Sequence, residues 1–316
     1  MSNLAQRILV AAVAIPLILL LTLAGGFYFF SLVAASSTLA LLEFYRLAAA
    51  KGAEPQRGVG IVFGFAVVAA FLNSRIVGLL APAAAAYGFA LPFPDMTHGF
   101  LIVMVLGTVT VLVVELFRAR GSAMLNVGAT LTGVVYVSLL FGTLVGLREL
   151  FVPLEFPVHR YLAPPGTELT GDMVDTLYRW GGVTVVALLG SVWVCDSAAY
   201  FVGRAAGRHK LFERVSPKKS WEGAAAGFAG AVGAFLLFRM VLGLGYLTPV
   251  DAAVCGAIVG VFGQLGDLVE SLMKRDAAVK DSSAAIPGHG GILDRFDSLL
   301  GSAPLVFLYV DFVVCT

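Results

Sequence analysis

Near its C-terminal end the chain carries SLMKRDAAVKDSSAAIPGHGGILDRFDSLL, residues 271–300, in which Lys274, Arg275, Lys280, Asp281, His289, Asp294, Arg295 and Asp297 crowd together. A second polar run, RAAGRHKLFERVSPKKSWE at 204–222, brings Lys218, Lys219 and Ser220. Carboxylates also stand inside apolar segments: Asp196 in ALLGSVWVCDSAAYFVG, and Asp267 and Glu270 in VFGQLGDLVESLM. Ionisable groups in such segments are costly and face a cavity, a partner or an ion. Asp294 and Asp297, three residues apart, share one face of any helix that begins near Ile292. Alone they could be ordinary first-turn acids that favour a helix N-terminus. With Asp267 they form an all-oxygen set of the hard-ligand kind that suits Mg²⁺ or Mn²⁺ together with substrate phosphates.

The cations are the complement. Lys218, Lys219, Lys274, Arg275 and Lys280 bring positive charge to two loops joined by a hairpin of two apolar segments. Each cluster alone reads equally as a topology signal or a contact for anionic lipid. The PGHGG stretch at 287–291 lets backbone N–H groups approach an anion. It could also be a simple turn, and His289 a phosphate donor, a base or a surface residue. Cations plus a carboxylate-held metal at a membrane surface are what phosphoryl or nucleotidyl transfer requires, because its transition state spreads negative charge over phosphate oxygens. The apolar setting makes a lipid the other reactant.

The elements that must position these groups follow from composition. Of 316 residues 59% are hydrophobic and 13% charged, about half the charge of an ordinary soluble domain. Such a chain is a polytopic membrane protein. Apolar runs predict about nine membrane helices, near 8–25, 27–44, 59–80, 99–117, 126–147, 183–203, 223–246, 251–273 and 299–316. Gly25-Gly26 makes a tight hairpin between the first two, and the first run is read as a retained span. Most of the 21 Lys and Arg residues fall in alternate loops, which puts the N-terminus and both polar runs on the cytoplasmic side. The outer stretch 149–182, with Pro153, Pro157, Pro164 and Pro165, reads as an irregular acidic connection. Cys195, Cys255 and Cys315 sit in apolar stretches with no ligand spacing, and read as packing residues. No nucleic-acid partner is implied. The glycine-rich spans leave room for close helix packing and for a homodimer.

Residues 271–297 closely resemble the signature of phosphatidate cytidylyltransferases, also called CDP-diacylglycerol synthases: S-x-x-K-R at 271–275, K-D at 280–281, P-G-H-G-G at 287–291 and D-R-F-D at 294–297. Asp196-x-x-Ala199-Tyr200 with Gly203 and Gly207, Ser216 to Gly223, and Gly263 to Ser271 match as well. The resemblance is dense over 190–300. Before that, Glu43 and the apolar pattern are its only traces.

This resemblance implies an all-helical integral membrane fold, with an N-terminal scaffold of residues 1–180 and a catalytic region of residues 181–316. It implies transfer of CMP from CTP to phosphatidic acid within the bilayer, aided by one or two Mg²⁺ or Mn²⁺ ions, in a bacterial cytoplasmic membrane. Carried onto this chain it makes Asp267, Asp294 and Asp297, with Asp196, the expected metal ligands. Asp267, Asp294, Asp297 and Lys280 form the expected catalytic set. Lys218, Lys219, Ser220 and Arg275 are expected to grip CTP, and Lys274, Lys280, His289 and Arg295 the lipid phosphate. Two other classes share parts of the pattern: a CTP-dependent polyprenol- or dolichol-type lipid kinase, and an ion transporter using the intramembrane carboxylates.

Overall fold

The computed structural model describes residues 3–88, 96–152, 156–162, 164, 167–283 and 290–316. Among these the fold is almost wholly helical, as the apolar runs predict. Helices α1 (Asn3–Ala24) and α2 (Gly26–Ala50) are separated by Gly25 alone. Gly25 and Gly26 have φ of 62° and 51°, a left-handed conformation that glycine adopts without strain. Any Cβ on Gly25 would strike Arg148. The guanidinium of Arg148 is buried there and donates to the carbonyls of Thr22 (3.1 Å) and Leu23 (3.3 Å) at the end of α1.

Where one span is expected at 59–80, the chain makes two helices, α3 (Arg57–Ala70) and α4 (Asn73–Ala86), bent by 87°. The turn falls where the apolar run meets Asn73-Ser74-Arg75. Arg75 pairs there with Glu149, which draws the chain aside. Helices α5 (Met96–Leu116) and α6 (Ala123–Glu149) follow the expected positions. Helix α7 (Gly171–Ala206) is longer than its apolar run. It absorbs the last part of the stretch expected to be irregular, because Thr170 caps it and Trp180 buries itself against Tyr246.

The loop at 204–222 contains a small antiparallel hairpin, β1 (Lys210–Phe212) with β2 (Ser216–Ser220), a departure from the all-α expectation. It is too short for alternation to betray it. Helices α8 (Trp221–Val241), α9 (Pro249–Asp276) and α10 (Leu293–Val314) complete the bundle. Helix α10 starts earlier than its apolar run, so Asp294 and Asp297 lie in its first turns.

Seven of these helices are long and apolar enough to cross a membrane, and α3 with α4 would make a further, broken crossing. Buried residues from Phe29 in α2 to Val314 in α10 form one contiguous apolar cluster. The C-terminal ends of α2, α7 and α9 and the N-terminal end of α10 meet at one end of the bundle, where Lys51 pairs with Asp276 at 3.2 Å and Glu43 bonds Leu293 N at 2.8 Å. The described residues of both polar runs lie at that end.

Candidate active site

A cavity of about 690 Å³ opens there between α7, β2, α8, α9 and α10. Its position follows from two places where glycines let helix backbones touch. Helix α7 meets the start of α8 at Gly203 and Gly223, where a Cβ on Gly223 would stand 2.7 Å from the Ala199 carbonyl and 3.0 Å from Gly203 Cα. Helix α9 meets α10 at Gly266 and Gly301, where a Cβ on Gly301 would stand 2.2 Å from the Phe262 carbonyl. These crossings carry Asp196, Asp267 and Asp297 from three separate helices to one wall.

Among the expected site residues, Asp196, Lys218, Lys219, Ser220, Asp267, Asp294, Arg295 and Asp297 line this cavity. Lys219 Nζ stands 2.8 Å from Asp267 Oδ2 and donates to the Gln264 carbonyl at 3.3 Å. That carbonyl directly follows a π-helical turn at Val259–Gly263, a local widening of the helix often found at functional sites. Asp267 also accepts from Ser271 Oγ at 3.2 Å. Asp297 accepts from Ser298 N at 2.7 Å, and Asp196 from Ser298 Oγ at 3.4 Å. These three carboxylates have few protein donors and keep lone pairs toward the cavity. Ser220 caps α8, its hydroxyl accepting from Gly223 N at 3.2 Å. The positive end of the α8 dipole therefore points into the cavity beside Lys218 and Lys219, an arrangement that favours phosphate.

Asp294 is differently placed. Its Oδ1 accepts from Lys274 at 2.6 Å, and its Oδ2 from Ser282 N (3.0 Å), Ser282 Oγ (3.0 Å) and Gly291 N (2.7 Å). Lys274 is buried between Asp294 and Glu270, to which it is also ion-paired. This triad ties Ser282 and the start of α10 to α9. Arg275 is exposed and donates to the Val279 carbonyl at 3.1 Å; Lys280 is exposed too, and neither lines the cavity. His289 lies outside the described residues. Of the N–H groups in the glycine-rich stretch, that of Gly291 is taken by Asp294.

Tyr200, Arg204, Lys210 and Gln264 add to the lining; Tyr200 and Gln264 fall in stretches that match the family signature, but no role is assigned to any of the four from sequence. Glu43, in sequence a faint trace of the resemblance with no role assigned, is an acid in the apolar α2. It is 2% exposed. Its Oε2 accepts from Leu293 N (2.8 Å) and shares with Asp294 the single proton of Ser282 Oγ (2.9 Å), and its Oε1 accepts from Ser283 Oγ (2.6 Å) and Ile292 N (3.0 Å). It thus satisfies two of the free N–H groups at the start of α10, those of Ile292 and Leu293. Gly291 must be glycine beside it, since a Cβ would lie 2.0 Å from Ser282 Oγ and 2.5 Å from Glu43 Oε2.

Among the described residues no three His, Cys, Asp or Glu side chains form a metal cage. The donors do fit an ion that takes one or two carboxylates and completes its shell with water and substrate phosphates, the usual habit of Mg²⁺. Asp267 and Asp297, with Asp196 near, are the residues that would hold it.

A phosphatidate cytidylyltransferase of Synechocystis is 33% identical over 318 residues, covering 96% of each chain. One of Bacillus subtilis is 31% identical over 309 residues, covering 98% of this chain and 97% of its own. One of Brucella suis is 44% identical over 132 residues, 41% of this chain and 47% of its own. The sequence model of the cytidylyltransferase family matches residues 5–313. With its glycine-set cavity of carboxylates and lysines, the chain belongs to that family.

Proposed function

We propose that this protein transfers CMP from CTP to phosphatidic acid, giving CDP-diacylglycerol and pyrophosphate. The observation that carries this reading is a cavity at one membrane end that gathers cations and carboxylates. It combines the α8 N-terminus, Lys218 and Lys219 with three carboxylates from α7, α9 and α10. A triphosphate and a lipid phosphate need such a place.

In the reaction a phosphatidate monoester oxygen attacks the α-phosphorus of CTP. A new P–O bond forms and the bond to the β-phosphate bridging oxygen breaks, releasing pyrophosphate. A phosphate monoester has a second pKa near 6, so much of it is dianionic at neutral pH. No strong general base is needed. Lys218, Lys219 and the α8 N–H groups bind and orient the triphosphate, and Arg295 at the rim suits the lipid phosphate. Lys274, with Glu270 and Asp294, holds the wall rigid. A divalent cation bound at Asp267 and Asp297 would supply further charge neutralisation on the phosphates.

Counting α1 as a crossing, and α3 with α4 as another, gives nine. With nine crossings and the N-terminus inside, the N-terminal end of α10 and the cavity beside it would face the cytoplasm. The deciding experiment supplies purified protein with phosphatidic acid, Mg²⁺ and CTP labelled at either the α or the γ phosphorus. Label in lipid from the α position, with pyrophosphate released, is the expected result. Label in lipid from the γ position means a lipid kinase instead.

A further inference from the structure

A second groove lies at the same membrane end, formed wholly by the N-terminal helices. It has a polar part of about 480 Å³ lined by Arg57, Arg118 and Arg120. It continues into an apolar part of about 520 Å³ between α3 and α5, where Val62, Ala66, Ile102 and Leu106 face the lipid-exposed surface. Gly58 and Val59 line both parts, and neither part shares a residue with the catalytic cavity.

The polar part is built on a fixed base. Glu115, 6% exposed, accepts from Gln56 Nε2 (2.7 Å), Asn126 Nδ2 (2.7 Å) and Arg118 (2.9 Å). Arg118 also donates to the Glu54 carbonyl at 3.1 Å, and Gln56 Nε2 to the Val111 carbonyl at 2.9 Å. This network ties the 51–56 and 117–122 loops together before any ligand arrives. It uses up the charge of Glu115. The exposed Glu54 is the remaining acid in the lining. Among the described residues the guanidinium groups of Arg57 and Arg120 have no carboxylate partner, although both are at the groove.

The apolar part is equally defined. Helices α3 and α5 touch at its floor, where a Cβ on Gly107 would lie 2.3 Å from the Phe63 ring. The hydroxyl of Thr110 is turned back to the Leu106 carbonyl at 2.7 Å, so the trough offers no open donor. Above Gly58 there is open space, with no atom within 4 Å of a Cβ built there. Two unpaired cations at the membrane end, continuous with a trough running into the hydrocarbon, match one kind of molecule: an amphiphile with an anionic head and an acyl chain. A helix from a second copy would fill the trough but bring no anion for the arginines.

We infer that the α3–α5 groove is a binding site for an anionic glycerophospholipid of the bilayer, separate from the catalytic cavity. The phosphodiester sits against Arg57 and Arg120, and one acyl chain lies along Val62, Ala66, Ile102 and Leu106. Binding of this kind is electrostatic at the head and apolar along the chain.

The test uses the full-length protein in nanodiscs of phosphatidylcholine alone and with one-quarter phosphatidylglycerol, read by native mass spectrometry and by hydrogen exchange of residues 51–60 and 114–122. Wild type is expected to retain phosphatidylglycerol selectively and to slow exchange in both segments. Arg57→Gln with Arg120→Gln should lower that selectivity by roughly 10- to 30-fold, and Arg57→Lys with Arg120→Lys should restore most of it. Gly58→Trp, which fills the junction of head and chain, should displace the lipid while both arginines remain. CMP transfer to phosphatidic acid added to phosphatidylcholine should be the same in all variants, since none of these residues lines the catalytic cavity. Equal retention of both lipids by wild type overturns the inference. So does unchanged selectivity in the Gln pair, or cross-linking of cysteines at Val62 and Ile102 between copies, which would make the groove an interface.

Discussion

At the scale of single residues, the acids divide into those that face the cavity and those that hold its walls. Asp267 belongs to the first group. Its pairing with Lys219 is partly solvent-exposed, with side chains 33% and 23% accessible. Asp267→Asn should change folding stability by no more than about 1 kcal/mol. It should lower kcat for CMP transfer by about 100-fold or more, as loss of a charge aimed at reacting phosphates does. Thermal unfolding and a label-transfer assay check the two halves. Glu43 belongs to the second group. Glu43→Gln puts an NH₂ where Ile292 N–H or Leu293 N–H now donates, so at least one buried donor loses its acceptor. The expected stability loss is about 2–3 kcal/mol, with CMP transfer falling through misplacement of the start of α10. Hydrogen exchange at Ile292 and Leu293 should rise. Unchanged exchange there would show that Glu43 does not anchor α10. The cavity-facing acids were legible because they sit near a dense motif. Glu43 was not, because its partners are about 240 residues away in sequence, and a single acid in an apolar helix does not say what it touches.

At the scale of helices and strands, the apolar runs placed the long helices well because each must bury its backbone polar groups internally. They failed where tertiary contacts override hydropathy: the bend at Phe71-Leu72, the extension of α7 before residue 183, and the five-residue strand that carries Lys218 and Lys219. The active-site geometry depends less on helix positions than on how closely pairs approach. Gly301→Ala would place a methyl group 2.2 Å from the Phe262 carbonyl and force α9 from α10. That overpacking should cost about 1–3 kcal/mol and, by separating Asp267 from Asp297, reduce CMP transfer more than it reduces stability. Gly233→Ala on α8 meets nothing within 4 Å and is the control. It should leave activity intact and hold or raise the melting temperature, since alanine favours a helix over glycine. Equal loss in both variants would mean that the α9–α10 crossing is not what sets the site.

At the scale of the whole molecule, the signature residues occupy the C-terminal half, yet the cavity does not stand on that half alone. Glu43 of α2 accepts hydrogen bonds from Ser282, Ser283, Ile292 and Leu293. Lys51 at the end of α2 pairs with Asp276 at the end of α9. The apolar cluster runs unbroken from α2 through α6 to α10, and Phe71 beside α3 packs edge-on against Phe307 of α10 at 5.9 Å. A chain cut between Thr167 and Glu168 separates the halves at the far end of the bundle, away from the cavity. Membrane helices insert independently and then associate. The fragment 168–316 expressed alone should therefore reach the membrane but transfer no CMP. Co-expression with 1–167 should restore part of the activity, and Glu43→Gln in the N-terminal fragment should abolish that restoration. Full activity in 168–316 by itself would reduce the N-terminal helices to an anchor. Restoration that ignores Glu43 would mean that packing across the cluster, rather than the buried carboxylate, carries the coupling between the halves.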